Sequence, residues 1–303
     1  MPALSKQKQT SEDMIFDIIT TILMGIGCLI ILYPLYFIVI ASFSDPQRVL
    51  NGEVIAVPKG LNLAGYKRIL RYAPLWRGYA NSIYYSVVGA VLGGFFSLTA
   101  AYPLSRRDFS GRKFFTIVLL IAMFFSGGLI PQYILVNALK LRNTWGVLLL
   151  VSGIQITNIF IANSYFKTTN VESLFEASQI DGCTHFGYFF RILLPISTPI
   201  IIVMLLFYGV WQWNDFFRAL IYLDKPEYYP IQLVLKDLLA TNQVTGAMFE
   251  MLAEDQEAYA EMLKAADSMK YGIIIFASLP MLVLYLILQR YFVQGITLGS
   301  VKE

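Results

Sequence analysis

Six long apolar runs divide this chain, and they leave little choice of fold. They cover about 15–41, 81–104, 114–136, 145–166, 199–223 and 271–292. Each is near or above the roughly 20 residues that a helix needs to cross a hydrocarbon core. A soluble domain of this length would bury one core and have no use for six such runs. Composition agrees: 57% of the residues are hydrophobic and 14% charged, against about 25% charged in soluble domains. The expectation is an all-α polytopic membrane protein with six transmembrane helices, because a helix satisfies its own backbone in lipid.

The runs carry their own punctuation. The first, Ile15 to Ala41, is too long for a signal-peptide core and lacks a small-x-small cleavage site. Pro34 should kink it. Asn81-Ser82 opens the second, where Gly89, Gly93 and Gly94 favour close helix packing. Ser126-Gly127-Gly128 and Pro131 break the third, and Pro280 lies in the sixth. The fourth holds Gln155 and Asn158 at i, i+3, either as hydrogen-bonding glue between helices or as pore-lining groups.

Several chemistries are disfavoured. A net charge of +3 gives no case for nucleic acid. Cys28 and Cys183 fall at different levels of the molecule and imply no disulfide framework. His185, the lone histidine, has no partner at ligand spacing, so no metal is assigned. No Gly-Lys dipeptide occurs, hence no phosphate-cradling GxxxxGK[ST] loop. No HExxH or nucleophile–base pair suggests a hydrolase. A secondary transporter would bury ionisable groups mid-span, whereas Asp17 and Asp215 lie near span ends.

Residues 168–195 form a polar interruption between two runs. Glu172 and Glu176 fall around the first turns of a short helix from about Ser173, where carboxylates suit the helix dipole. Gly182 should stop that helix in the left-handed conformation. Thr184 can cap a second helix, 185–193, presenting Phe186, Phe189 and Phe190. Such aromatics suit a groove on a partner protein; an amphipathic loop lying on lipid is the other reading.

Glu176-Ala177-Ser178, Gly182 and, after nine residues, Ile192-x-Leu194-Pro195 closely resemble the EAA loop of ABC-importer permeases. Ser178 departs from the usual alanine but is still small. The resemblance implies the type I ABC importer permease fold and a coupling loop, 168–195, seated on a cytoplasmic ATPase. Its coupling residues would be Glu176, Ala177, Ser178, Asp181, Gly182, Phe186, Phe189, Ile192, Leu194 and Pro195. It further implies a bacterial plasma-membrane protein with a cytoplasmic segment 1–13, a permease domain 14–292 and a cytoplasmic tail 293–303. Basic residues divide almost evenly between the two sides, so orientation rests on this resemblance.

Trp211-Gln-Trp213-Asn214-Asp215-Phe216-Phe217-Arg218-Ala219-Leu220 looks like the WNxFxxAL segment of carbohydrate-uptake permeases related to the maltose importer's second permease subunit. Asn62-Leu63 with Tyr66, Asn81-Ser82, Tyr229-Pro230-Ile231-Gln232 and the tail 289–302 are similar to the branch handling complex oligosaccharides. The resemblance implies a homologous second permease, two ATPase subunits that carry the ATP and Mg, an extracellular solute-binding protein and an oligosaccharide substrate. No cofactor would bind this chain itself. A permease for another solute, such as a polyamine, would share the coupling loop but lack the Trp-Asn segment. Candidate substrate-path residues are Gln155, Asn158, Trp211, Trp213, Asn214 and Phe217, with interfacial anchoring as the other reading of Trp211, Trp213 and Phe217. The loop 224–268 is far longer than an ordinary helix connection. It is expected outside the cell, either meeting the binding protein or capping the bundle.

Overall fold

The computed structural model describes residues 11–125, 127–151, 153–168, 171–239 and 269–287. Among them every regular element is helical. In chain order these are α1 (Ser11–Ser42), α2 (Pro46–Leu50), α3 (Ala64–Arg71), α4 (Ala73–Ser105), α5 (Arg112–Phe124), α6 (Leu129–Ala138), α7 (Trp145–Leu150), α8 (Ile156–Thr168), α9 (Val171–Ile180), α10 (His185–Tyr188), α11 (Leu194–Ile196), α12 (Thr198–Trp213), α13 (Phe217–Tyr222), α14 (231–239) and α15 (Met269–Ile287). The acidic stretch 240–268, the tail 293–303 and residues 1–10 lie outside the described residues.

The chain divides into two compact units, residues 1–71 with 242–276 and residues 72–241 with 277–303. In the first, α1 runs as one element through Pro34 with nearly all its apolar side chains exposed. Only its end is buried, where Ile40 and Ala41 meet Val49 and Val54. Asp45 caps α2 by accepting from the Gln47 N–H at 3.0 Å, with Pro46 at the first helical position where its missing N–H costs nothing. The Tyr66 hydroxyl donates to Ser42 Oγ at 2.9 Å and ties α3 to the end of α1.

The second unit is built around α4, against which α8 and α12 pack. The small side chains of α4 explain the closeness. A Cβ on Gly89 would lie 2.6 Å from Gln212 Nε2, and one on Gly93 would lie 2.6 Å from the Tyr208 ring. Ser97 Oγ and the Tyr208 hydroxyl lie 2.6 Å apart, sharing a hydrogen bond in this interface. Small residues let backbones approach and polar groups bond across them, as membrane helix interfaces require. Asn81 and Ser82 lie on the third turn of α4, inside the helix rather than at its start. Asn81 Nδ2 donates to the carbonyls of Glu227 and Tyr229 at 2.8 and 2.9 Å, and Ser82 Oγ accepts from the Ile231 N–H. Segment 227–231 is thereby pinned along α4.

Among the described residues three helices are long and apolar enough to cross a membrane, Glu12–Ser42, Ala73–Ser105 and Met269–Ile287; two bent pairs, α5 with α6 and His185–Ile196 with α12, make up to five if each pair is one span. The expected break in the third run is present, with Gly128 at φ 80° ahead of α6. The fourth run differs from the single span expected over 145–166. It is split into α7 and α8, neither long enough to cross alone. Side chains of the fifth run satisfy the freed backbone. Leu148 O accepts from Gln212 Nε2 at 3.0 Å and from Arg218 Nη1 at 3.4 Å, while the Gln155 N–H donates to the Tyr208 hydroxyl. The fifth run is interrupted too, at Asn214–Phe216 between α12 and α13.

Candidate functional site

The polar interruption folds as its residues require. α9 ends in a left-handed glycine, Gly182 at φ 76°. The Gly182 N–H donates to Gln179 O and the Cys183 N–H to Ser178 O, both at 2.9 Å. These two bonds close the last carbonyls of α9 in a Schellman arrangement. Thr184 Oγ1 then accepts from the Gly187 N–H at 3.2 Å and caps α10. From Phe189 to Leu193 the helix widens into a π-turn. Pro195 has no N–H and its ring crowds the carbonyl four residues back, so wider winding relieves both problems. The segment His185–Ile196 then meets α12 at an elbow of 83°.

The elbow sorts the predicted coupling residues into two sets. Glu176, Ala177, Asp181, Gly182 and Pro195 are exposed, and Phe186 is 79% exposed. Ser178 is buried, its hydroxyl donating to Phe175 O at 2.7 Å, and Ile192 and Leu194 are half-buried. Phe189 corrects the expectation of an exposed anchor. It is only 4% exposed and packs 5.3 Å from the Tyr102 ring of α4. Phe186 and Phe190, four apart, share the outward face, while Phe189 lies on the face turned to the bundle.

Arg106, immediately after α4, is a functional candidate that charge counting left as one of several basic residues. Its side chain is 9% exposed, and the guanidinium carbon lies 3.7 Å from the centroid of Phe175 in α9. Nε and Nη2 donate to the two carboxylate oxygens of Asp108 at 2.7 and 2.6 Å. Those bonds hold the Asp108 carboxyl below its ordinary range and raise the already high value of Arg106. Only the spacing Arg-x-Asp marked this fork in the sequence, and Phe175 lies too far along the chain to be inferred. A cavity of about 480 Å³ opens beside it, walled by Phe95, Tyr102, Phe186 and Phe190.

The predicted substrate-path residues do not converge. Trp211, Asn214 and Phe217 line one concavity of about 380 Å³ with Phe207 and Phe216. Trp213 is neither a stacking platform nor an interfacial anchor: it is 2% exposed, and its Nε1–H donates to Ala277 O at 3.1 Å. Asp215 lines the same concavity and forms an ion pair with Arg218 at 2.7 Å, and Arg218 Nη2 donates to Gln212 Oε1 at 2.7 Å. Gln155 and Asn158 are not in that concavity. Nor do their side chains glue helices, since Gln155 Nε2 and Asn158 Nδ2 are buried without a partner among the described residues. Gln212 and Tyr208 do that work instead.

No family model matches the chain. Individual proteins do. Protein LplC of Bacillus subtilis is 33% identical over 303 residues, all of both chains. The polygalacturonan/rhamnogalacturonan transport system permease YtcP of the same species is 31% identical over 292 residues, 96% of this chain and 99% of that one. The arabinooligosaccharides transport system permease AraQ of Halalkalibacterium halodurans is 28% identical, covering 90% and 92%. Among solved structures, one chain of a bacterial ABC transporter involved in importing the acidic polysaccharide alginate superposes with a TM-score of 0.83 at 27% identity, over 95% of this chain and 100% of that one. Likeness of this extent, along the whole chain, makes it a member of the ABC-importer permease family, in the carbohydrate-transport group.

Proposed function

We propose that this chain is half of the translocation pathway of an ATP-driven oligosaccharide importer. It works with a homologous second permease, two cytoplasmic ATPase subunits that hold the ATP and Mg, and an extracellular binding protein. Six spans and two cytoplasmic termini complete the topology, with α7 and α8 together forming the fourth span. The observation that carries this reading is the outward face of the elbow. Glu176, Ala177, Asp181, Gly182 and Phe186 are all exposed on a loop whose second half packs against α4 and runs into α12. An exposed phenylalanine beside carboxylates, on a rigid support, has the chemistry of an interface anchor.

ATP binding closes the ATPase dimer and carries the loop with it. The elbow passes that movement into α12 and hence to α4 and α8, opening the pathway outward. The binding protein, held by the extracellular face that includes 224–268, then releases its sugar. Trp211, Asn214 and Phe217 offer aromatic faces and an amide to the passing sugar, and hydrolysis resets the inward state. The oligosaccharide assignment is supported by relatives named for polygalacturonan, rhamnogalacturonan and arabinooligosaccharides. Proteoliposomes holding the whole complex, with ATP inside and binding protein outside, test it. Uptake of labelled oligogalacturonide or arabinooligosaccharide without uptake of spermidine is expected. The converse pattern would refute the assignment.

A further inference from the structure

The two halves of the coupling loop are anchored differently. The second half sinks Tyr188, Phe189 and Leu193 into the core around α4. The first half, α9, exposes Leu174, Glu176, Ala177, Gln179 and Ile180. Among its described side chains Phe175 is the one large apolar group that is buried. That ring is held edge-on by Tyr188 at 5.1 Å, stacked by His185 at 4.6 Å, and covered by the Arg106 guanidinium at 3.7 Å. Of these three contacts, Arg106 is the one that comes from the end of α4 rather than from the loop itself.

We propose that Arg106 is the positioning residue that couples α9 to α4, so that loop and helix move as one body when the ATPase acts. The geometry calls for arginine. A planar guanidinium can stack on a phenyl face while its edge donates twice to Asp108, whereas a lysine ammonium is a point charge and cannot do both. Asp108 fixes the rotation of the guanidinium plane. A push on Glu176 or Ala177 is therefore delivered to the end of α4 through a stiff stack instead of being absorbed at Gly182. The proposal rests on the coupling reading of the loop.

The test uses the assembled complex in proteoliposomes with its ATPase subunits and binding protein. Arg106→Lys keeps the charge and Phe175→Leu keeps most of the apolar bulk, while each removes the stack. Both should assemble and retain basal ATPase activity, yet sugar taken up per ATP hydrolysed should fall about fivefold or more, the lower range of coupling between sites. The double variant should lose no more than either single one, since each removes the same contact. A second measurement does not depend on turnover. With Cys28 and Cys183 replaced by serine, spin labels at Gln179→Cys and Arg107→Cys should keep one narrow distance with and without ATP. In Arg106→Lys that distance should broaden on adding ATP. Phe186→Ala serves as the control for the loop. Uncoupling there, with full coupling and a narrow distance in the Arg106 and Phe175 variants, overturns the Arg106 proposal alone. Full coupling in all three overturns the loop reading with it.

Discussion

Gly182 shows what a single residue contributes to this loop. Its φ of 76° is one that L side chains rarely adopt, and a Cβ there would meet nothing within 4 Å. The penalty for a side chain is therefore in the backbone, about 1–2 kcal/mol, and not in a clash. Gly182→Val should lose binding-protein-stimulated ATPase activity. Gly182→Asn, whose side chain tolerates the left-handed region, should keep most of it; equal behaviour of the two would show that the turn is not what matters. Gly93 and Gly94 give the opposite contrast. A methyl at Gly93 would lie 2.6 Å from the Tyr208 ring, but one at Gly94 lies 3.7 Å from Met204. Gly93→Ala should cost about 1–3 kcal/mol by overpacking, and Gly94→Ala close to nothing, read as melting temperature of the detergent-solubilised complex. Gly182 and Thr184 were legible in the sequence because their reasons are local, a left-handed stop and a cap. Phe189 and Trp213 were not, because spacing shows which residues share a face but not which face finds a neighbour.

At the scale of elements, the broken helices carry the polar chemistry. The chain was legible as apolar runs, and the glycines and proline of the third run announced its break. The break between α7 and α8 was hidden, because Gln212, Arg218 and Tyr208, which satisfy its free backbone groups, lie more than fifty residues downstream. Arg218 and Asp215 are both largely buried, so removing one leaves the other uncompensated. Arg218→Met should destabilise the complex by about 3–5 kcal/mol. Arg218→Met with Asp215→Asn should recover a good part of that loss, since the stranded charge is gone. Thermal unfolding of the two variants separates the cases. A double variant no better than the single would mean that the bonds to Leu148 O and Gln212 dominate.

At the scale of the whole molecule, many large apolar side chains among the described residues are exposed. α1 leaves Phe16, Leu29, Ile31 and Leu35 exposed, as expected of a helix that meets lipid or another permease. On the opposite side from the coupling loop in the proposed topology, segment 227–231 is pinned to α4 by Asn81, Ser82 and the Tyr85 hydroxyl. The connection 224–268 therefore starts from a rigid base. Replacing 243–266 with a short glycine bridge should leave assembly and basal ATPase activity intact while lowering stimulation by the binding protein, and more so at low salt, because the segment is acidic. Undiminished stimulation would mean that it only caps the bundle. The central claim is that the exposed face of 168–195 sits on an ATPase and not on lipid. Placing a benzoylphenylalanine photocrosslinker at Phe186, in the transport-competent complex, tests it most directly. The account predicts a covalent adduct between this chain and the ATPase subunit on illumination; adducts to lipid alone, in a complex that still transports, would contradict it.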